Sequence, residues 1–146
     1  MKAFGSMLLL AGALMLGGCT SEEWRDQHGE ALAPADLEDR WVMVNYWAEW
    51  CAPCLHELPE FNRLAETRPD VLVLGVNFDG VAGEELRELS ERMDIRFQVM
   101  GEDFEQSMKL ERPQVLPTTY VFDPQGALRH SLAGPQTEET LLAVLE

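Results

Sequence analysis

WVMVNYWAEWCAPCLHELPEF, residues 41–61, changes its period part-way along. Trp41–Trp47 is a short, bounded run of β-branched and aromatic residues and predicts a buried strand. Beyond it, Cys54, Leu58, Phe61 and Ala65 recur at steps of four and three, which predicts a helix face over 51–66. Pro53 has no N–H to donate and suits the first helical turn. Pro59 lies inside the helix, where it removes one hydrogen bond and predicts a kink. Cys51 therefore stands where a strand ends and a helix begins. Unpaired N–H groups and aligned dipoles favour negative charge there, and such positions lower a cysteine pKa by about one to several units. Cys54 sits one turn further in, within reach of Cys51 for a disulfide. Trp50 supplies an apolar shelf beside Cys51.

Elements follow outward in both directions. VLVLGVNF (71–78) reads as a second buried strand, and AGEELRELSERM (82–93) as an amphipathic helix with Leu86, Leu89 and Met93 on one stripe. IRFQVM (95–100) reads as a third strand and EDFEQSMKL (102–110) as a short helix. TTYVF (118–122) and ALRHSLA (127–133) flank the turn DPQG and predict a hairpin. TEETLLAVLE (137–146) closes the chain as a helix with Thr137 as N-cap. APADLEDR (33–40) is a short helix or turn. TSEEWRDQHGE (20–30) is polar and aperiodic, so residues 19–31 are expected to be a tether and 32–146 the folded domain. Early βα alternation gives parallel pairs and the hairpin adds an antiparallel edge, so the expected class is α/β, a mixed sheet flanked by helices.

The first residues read as a leader. Lys2 precedes an apolar run, and LGGC (16–19) resembles a bacterial lipobox, which implies cleavage of residues 1–18 and lipidation of Cys19. An uncleaved membrane anchor is the alternative, but the strongly apolar part, Met7–Leu16, is half of the ~20 residues a span needs. Either way the domain is expected outside the cytoplasm, in the periplasm and tied to a membrane. Thr20 replaces the Asp of an inner-membrane retention signal and points toward the outer membrane. The net charge of −15, with 46% hydrophobic and 25% charged residues, describes an acidic globular chain without a basic stripe, and nucleic acid is excluded as a partner.

With Cys19 lipidated, two of the three cysteines remain, both in WCAPC. A purely structural disulfide across so short a loop gains little chain entropy. A zinc site wants four ligands, and the mature chain adds only His28, His56 and His130 to the two thiols. Cu(I) is the metal that two soft thiolates suit best, so copper handling is the alternative function. A peroxidatic site is disfavoured, since its pattern places a Thr where this chain has Ala48. His56 and His130 read as surface residues, and Trp24, Trp41 and Trp47 as anchors and core.

WC-x-P-C between a strand and a helix resembles the thioredoxin active site. The resemblance extends to NYWAEWCAPC, to Pro59 at the family's helix kink, and to Leu116-Pro117-Thr118, which resembles its cis-proline loop. Asn45 stands where thioredoxin has a buried Asp. Glu57 completes a CxxCxxE pattern, and residues 82–100 resemble the central insertion of the TlpA/ResA-like exported branch, although the N-terminal hairpin of that branch looks short here. The resemblance implies a thioredoxin-like fold and a thiol-disulfide oxidoreductase without bound cofactor or metal. Cys51 would attack a substrate disulfide and Cys54 would resolve the mixed disulfide. Glu57 would carry the proton for Cys54, unless it is an ordinary exposed helix residue. Pro117, Leu116, Thr118 and Trp50 would hold the substrate. Ala-Pro between the cysteines lacks the His of strong oxidants, which favours a reductase of oxidised exported proteins, with electrons from a DsbD- or CcdA-like membrane carrier.

Overall fold

The computed structural model describes residues 23–145, so the leader and Cys19 lie outside the described residues. Five strands form the central sheet: β3 (Trp41–Trp47), β4 (Val71–Asn77), β5 (Gln98–Met100), β6 (Thr118–Phe122) and β7 (Leu128–Ala133). Their order across the sheet is β5-β4-β3-β6-β7, with β3–β4 and β4–β5 parallel and β3–β6 and β6–β7 antiparallel. The mixed sheet is the one the βα alternation and the terminal hairpin predict. β4 is buried along its whole length, as a strand covered on both faces must be, and its sequence is continuous apolar rather than alternating.

Successive residues of β3 feed two cores. Met43 and Trp47 join Leu58, Phe61, Leu64, Leu86, Leu89 and Leu141 beneath the helices α1 (Ala52–Thr67), α2 (Gly83–Arg92) and α4 (Glu138–Ala143). Val42, Val44 and Tyr46 face Trp24, Leu32 and Phe104, the last from α3 (Glu102–Ser107). α1 runs through Pro59 without ending. Gly75 in β4 has a specific use: a Cβ there would lie 3.0 Å from the Phe97 ring and 3.2 Å from Trp47 Nε1, so only glycine lets both aromatics close over the strand.

Three expectations need correction. The polar stretch read as a tether is folded from Trp24 on. β1 (Trp24–Arg25) and β2 (Ala31–Leu32) form a small antiparallel hairpin, followed by a 3-10 turn over Pro34–Leu37. Two of its polar side chains, Asp26 and Gln27, are buried and serve the fold instead of solvent. Asp26 Oδ1 accepts from His28 N (2.8 Å) and Glu30 N (2.9 Å), which closes the turn. Gln27 Oε1 accepts from Val99 N (2.7 Å), and Gln27 Nε2 donates to Phe97 O (3.0 Å), so one side chain pairs with the edge of β5 as a strand would. Trp24 then packs edge-on against Phe104 at 5.1 Å.

The third core strand starts at Gln98, later than the pattern suggested. Backbone groups just before it bond to side chains: Arg96 N donates to Asn62 Oδ1 (2.8 Å), and Phe97 O is held by Gln27. The helix after it stops at Ser107, because Lys109 takes a left-handed conformation (φ 52°) that no helix continues through.

Candidate active site

The site is built where β3 ends. Its last residue, Trp47, is buried, and four residues later Cys51 caps α1 with extended backbone. Cys51 Sγ accepts from Cys54 N at 3.3 Å, so one of the orphan N–H groups of the first turn already points at this sulfur. Pro53 lies in that first turn, as predicted. The two cysteines are joined, with Cα atoms 5.3 Å apart, and the structure is that of the oxidised protein. Cys51 is 5% exposed and Cys54 fully buried. Of the two cysteines only Cys51 keeps any exposure.

One turn after Cys54 on the same helix face is Glu57, which is 1% exposed. Of the two roles left open for it, the exposed one is excluded by this burial. Asn45 Nδ2, from the middle of β3, donates to Oε1 at 2.7 Å and also to Thr119 Oγ1 at 3.1 Å. Gln136 N, from the loop before α4, donates to Oε2 at 2.9 Å. Removal from water pushes the Glu57 carboxyl up to about 7, against the two hydrogen bonds, which pull it down. Asn45 Oδ1 is left without a partner among the described residues. Positions i and i+3 on a helix place Cβ atoms roughly 5–6 Å apart, so Glu57 and Cys54 are neighbours on one face of α1.

The Leu116–Pro117 peptide is cis. Register places Thr118 opposite Tyr46, so Pro117 enters the sheet level with Trp47, at the end that carries Cys51. Leu116 packs against the cluster that holds both cysteines. Pro117 O accepts from Gly134 N at 2.8 Å, which fixes the loop from behind. Thr118 is placed differently from a substrate contact: it is buried, and its hydroxyl donates to Val115 O at 2.9 Å, so it shapes the loop from inside. Trp50 stands 65% exposed, with its Nε1 donating to Asp79 Oδ2 at 2.9 Å. Trp50, Leu55 (38%) and Val115 (56%) are exposed large apolar side chains, the first two next to the cysteines in sequence and the third just before the cis-proline. Val115, Gln136 and Asp79 escaped sequence reasoning. Only Val115 carried a signal, an apolar side chain next to the Leu-Pro-Thr triplet. Among the described residues no cluster of three or more His, Cys, Asp or Glu is placed to hold a metal ion, and His56 is exposed on α1.

A strand-to-helix CxxC pair facing a cis-proline loop is a redox geometry, and comparison with known proteins decides the family. The model of the AhpC/TSA family matches residues 19–131. The chain belongs to that family. Among curated relatives of this AhpC/TSA-family chain, the thiol-disulfide oxidoreductase ResA of Geobacillus kaustophilus (strain HTA426) is 28% identical over 123 residues, covering 83% of this chain and 70% of the relative. The thiol:disulfide interchange protein DsbE of Pseudomonas aeruginosa is 32% identical over 104 residues, covering 70% of this chain and 56% of the relative. Solved structures with the same fold include StoA from Bacillus subtilis (TM-score 0.70, 21% identity, 86% of this chain and 96% of that one). The exposed lipoprotein thioredoxin Etrx1 from Streptococcus pneumoniae strain TIGR4 gives a TM-score of 0.71 at 23% identity, over 86% of this chain and 97% of that one. The fold is thioredoxin-like and the chain is a thiol-disulfide oxidoreductase of ResA/DsbE type, its redox pair Cys51–Cys54.

Proposed function

We propose that the chain is an extracytoplasmic reductase of protein disulfides, held to a membrane by a lipid on Cys19 after removal of residues 1–18. In the dithiol form, the Cys51 thiolate attacks one sulfur of a substrate disulfide. A mixed disulfide forms, and the second substrate sulfur leaves as a thiolate that takes a proton. The Glu57 carboxylate then accepts the Cys54 proton, and the Cys54 thiolate attacks Cys51 Sγ. The substrate departs with both sulfurs reduced, and the Cys51–Cys54 disulfide remains. Electrons return from a membrane dithiol carrier of the DsbD or CcdA type. Trp50, Leu116 and the Pro117 loop receive the substrate segment. The substrates are oxidised exported proteins, for example the CxxCH segment of an apocytochrome c or copper-site cysteines.

The asymmetry between the two sulfurs carries this reading. Cys51 caps the helix start, follows the exposed Trp50 and keeps slight exposure; Cys54 has none and lies one helical turn before a carboxyl group pushed up to about 7. Exposed Trp50 and Leu55 flanking the cysteine pair in sequence, and exposed Val115 before the cis-proline, suit a polypeptide better than a small polar disulfide. The direction rests on Ala52-Pro53, which adds no hydrogen-bond donor to stabilise the reduced thiolate. For this two-electron couple about 30 mV equals 1.4 kcal/mol, so the lack of one such bond is readable in the potential. The test is a redox titration of the chain without its first 19 residues, together with a C54S variant recovered from cells with its trapped mixed-disulfide partners. A reducing potential, near that of thioredoxin (about −270 mV), with exported proteins among the trapped partners, is the expected result. A potential near the about −120 mV of DsbA would reverse the direction.

A further inference from the structure

In the proposed reading the substrate segment lies in a slot between Trp50 and the Leu116–Pro117 loop, and among the described residues no hydrogen bond joins these two segments directly. Trp50 belongs to the β3–α1 loop, and Val115 and Leu116 to the long connection between α3 and β6. Both are tied to the same third place, the end of β4 at Phe78 and Asp79. Phe78 N donates to Trp47 O at 2.8 Å, which seats Phe78 beside the β3 end. The Trp50 ring meets the Phe78 ring edge-on (6.3 Å, 86°), and Trp50 Nε1 is held by Asp79 Oδ2 at 2.9 Å. From the other side, the Arg112 guanidinium lies over the Phe78 ring, 4.1 Å from its centroid, and donates to Phe78 O. Asn77 Oδ1 accepts from Asp79 N (3.0 Å) and Val81 N (3.3 Å), so the strand end is itself stiffened.

Arg112 lies four residues before Leu116 in a connection that has no regular secondary structure. Tyr120 OH, donating to Glu111 O at 2.8 Å, holds the neighbouring residue but reaches back to β6 alone. Arg112 links the connection to the β4 end, and through it to Trp50. We infer that Arg112 is a positioning residue: through the stack Arg112–Phe78–Trp50 it sets the width of the slot over Cys51, and so selects extended polypeptide disulfides over small ones. The inference rests on the reductase reading above and deepens it. Arg112 is exposed, and among the described residues no hydrogen bond or ring contact joins it to either cysteine. A lysine would keep the charge but lose the planar fork that can stack on a ring and donate to a carbonyl together.

The experiment compares R112A and R112K with the parent chain, using oxidised insulin as the polypeptide disulfide and a dithiobis-nitrobenzoate as the small one. For R112A, KM for insulin is expected to rise about tenfold, which is 1.4 kcal/mol, with kcat and the small-disulfide rate within about twofold of the parent. R112K is expected to behave like R112A. An unchanged insulin KM in R112A would overturn the inference. So would full recovery in R112K, which would make Arg112 a charge and no more, or an equal loss on both substrates, which would mean general damage. A parent chain that reduces neither disulfide would instead refute the reductase reading on which the inference stands.

Discussion

Replacing Glu57 by Gln should remove a pH dependence of stability that the fold builds in. The ordinary carboxyl value is 4.5 and burial pushes Glu57 up to about 7. Between those two pH values the folded chain keeps a proton that the unfolded chain has released. Unfolding therefore releases a proton, and stability falls as pH rises through the window, with the full loss reached above pH 7. At 1.36 kcal/mol per pH unit, the rise from 4.5 to about 7 corresponds to about 3 kcal/mol. Because the side chain is almost fully buried, solvent screening leaves this figure standing. Glutamine cannot ionise. It also presents one acceptor where the carboxylate presents two, so Asn45 or Gln136 loses a bond, but that loss is independent of pH.

The quantity to measure is the gap between the two unfolding free energies, E57Q minus parent, by guanidinium titration of the disulfide forms from pH 4.5 to 8.5. Other carboxyl groups cancel in the gap. Those of Asp70, Glu84 and Asp123 are in any case held below their usual values and lose their stabilising effect as pH falls through the acid range, outside this window. The gap should open by about 3 kcal/mol in favour of the variant as pH rises, or roughly 10 °C in Tm for a domain of this size. A gap that stays constant within about 0.5 kcal/mol would show that Glu57 ionises in the fold as it does in water. The proton-carrier role would then lose its physical basis.

Four further outcomes follow from the same geometry. In the reduced protein, Cys51 should alkylate near neutral pH at least tenfold faster than a peptide cysteine, and Cys54 far more slowly, as mass spectrometry of partially labelled chain would report. E57Q should shift the thiol titration of Cys54 while leaving circular dichroism unchanged; an unmoved titration removes Glu57 from the mechanism. Asn45→Asp would set a second carboxylate where Nδ2 now lies 2.7 Å from Glu57, and should raise the Glu57 midpoint by at least about one pH unit in the kcat/KM profile. Trp24→Ala should lower stability by about 3–5 kcal/mol by thermal melting, because the ring is buried against Phe104; a loss under about 1 kcal/mol would return residues 24–32 to the tether.

Sequence pattern revealed what period and composition can encode. Trp41–Trp47, Val71–Asn77 and the stripe through Cys54, Leu58 and Phe61 emerge as elements because their apolar residues have one job, burial. The N-terminal hairpin was hidden because its strands are two residues long, too short for any alternation to show, and because Asp26 and Gln27 act as strand partners while looking like solvent-facing residues. Glu57 was half legible. Its spacing from Cys54 was visible, but a glutamate on a helix usually marks the wet face, and its burial comes from Asn45 and Gln136, which are 12 and 79 positions away. The slot rims were divided in the same way: Trp50 and Leu116 were legible beside their motifs, whereas Asp79 and Arg112 depend on where β4 ends in space.

The surroundings of Glu57 suit the proton-carrier role proposed for it. Desolvation alone would drive it far into the neutral form, where it could give a proton but not take one. The donors Asn45 Nδ2 and Gln136 N draw it back, and the balance falls at about 7. A group half-protonated at the working pH is at the optimum for general acid–base exchange. In the proposed cycle Cys54, fully buried one helical turn before Glu57, is the sulfur that exchanges its proton with this carboxyl group. The order of the two attacks in that cycle follows from position: Cys51, at the helix start, meets the substrate first, and Cys54 attacks after Glu57 has taken its proton. An Asp at position 45 would upset that balance by adding charge where there is no room for its hydration. An amide there supplies the donor without the charge, at the expense of one unpartnered oxygen.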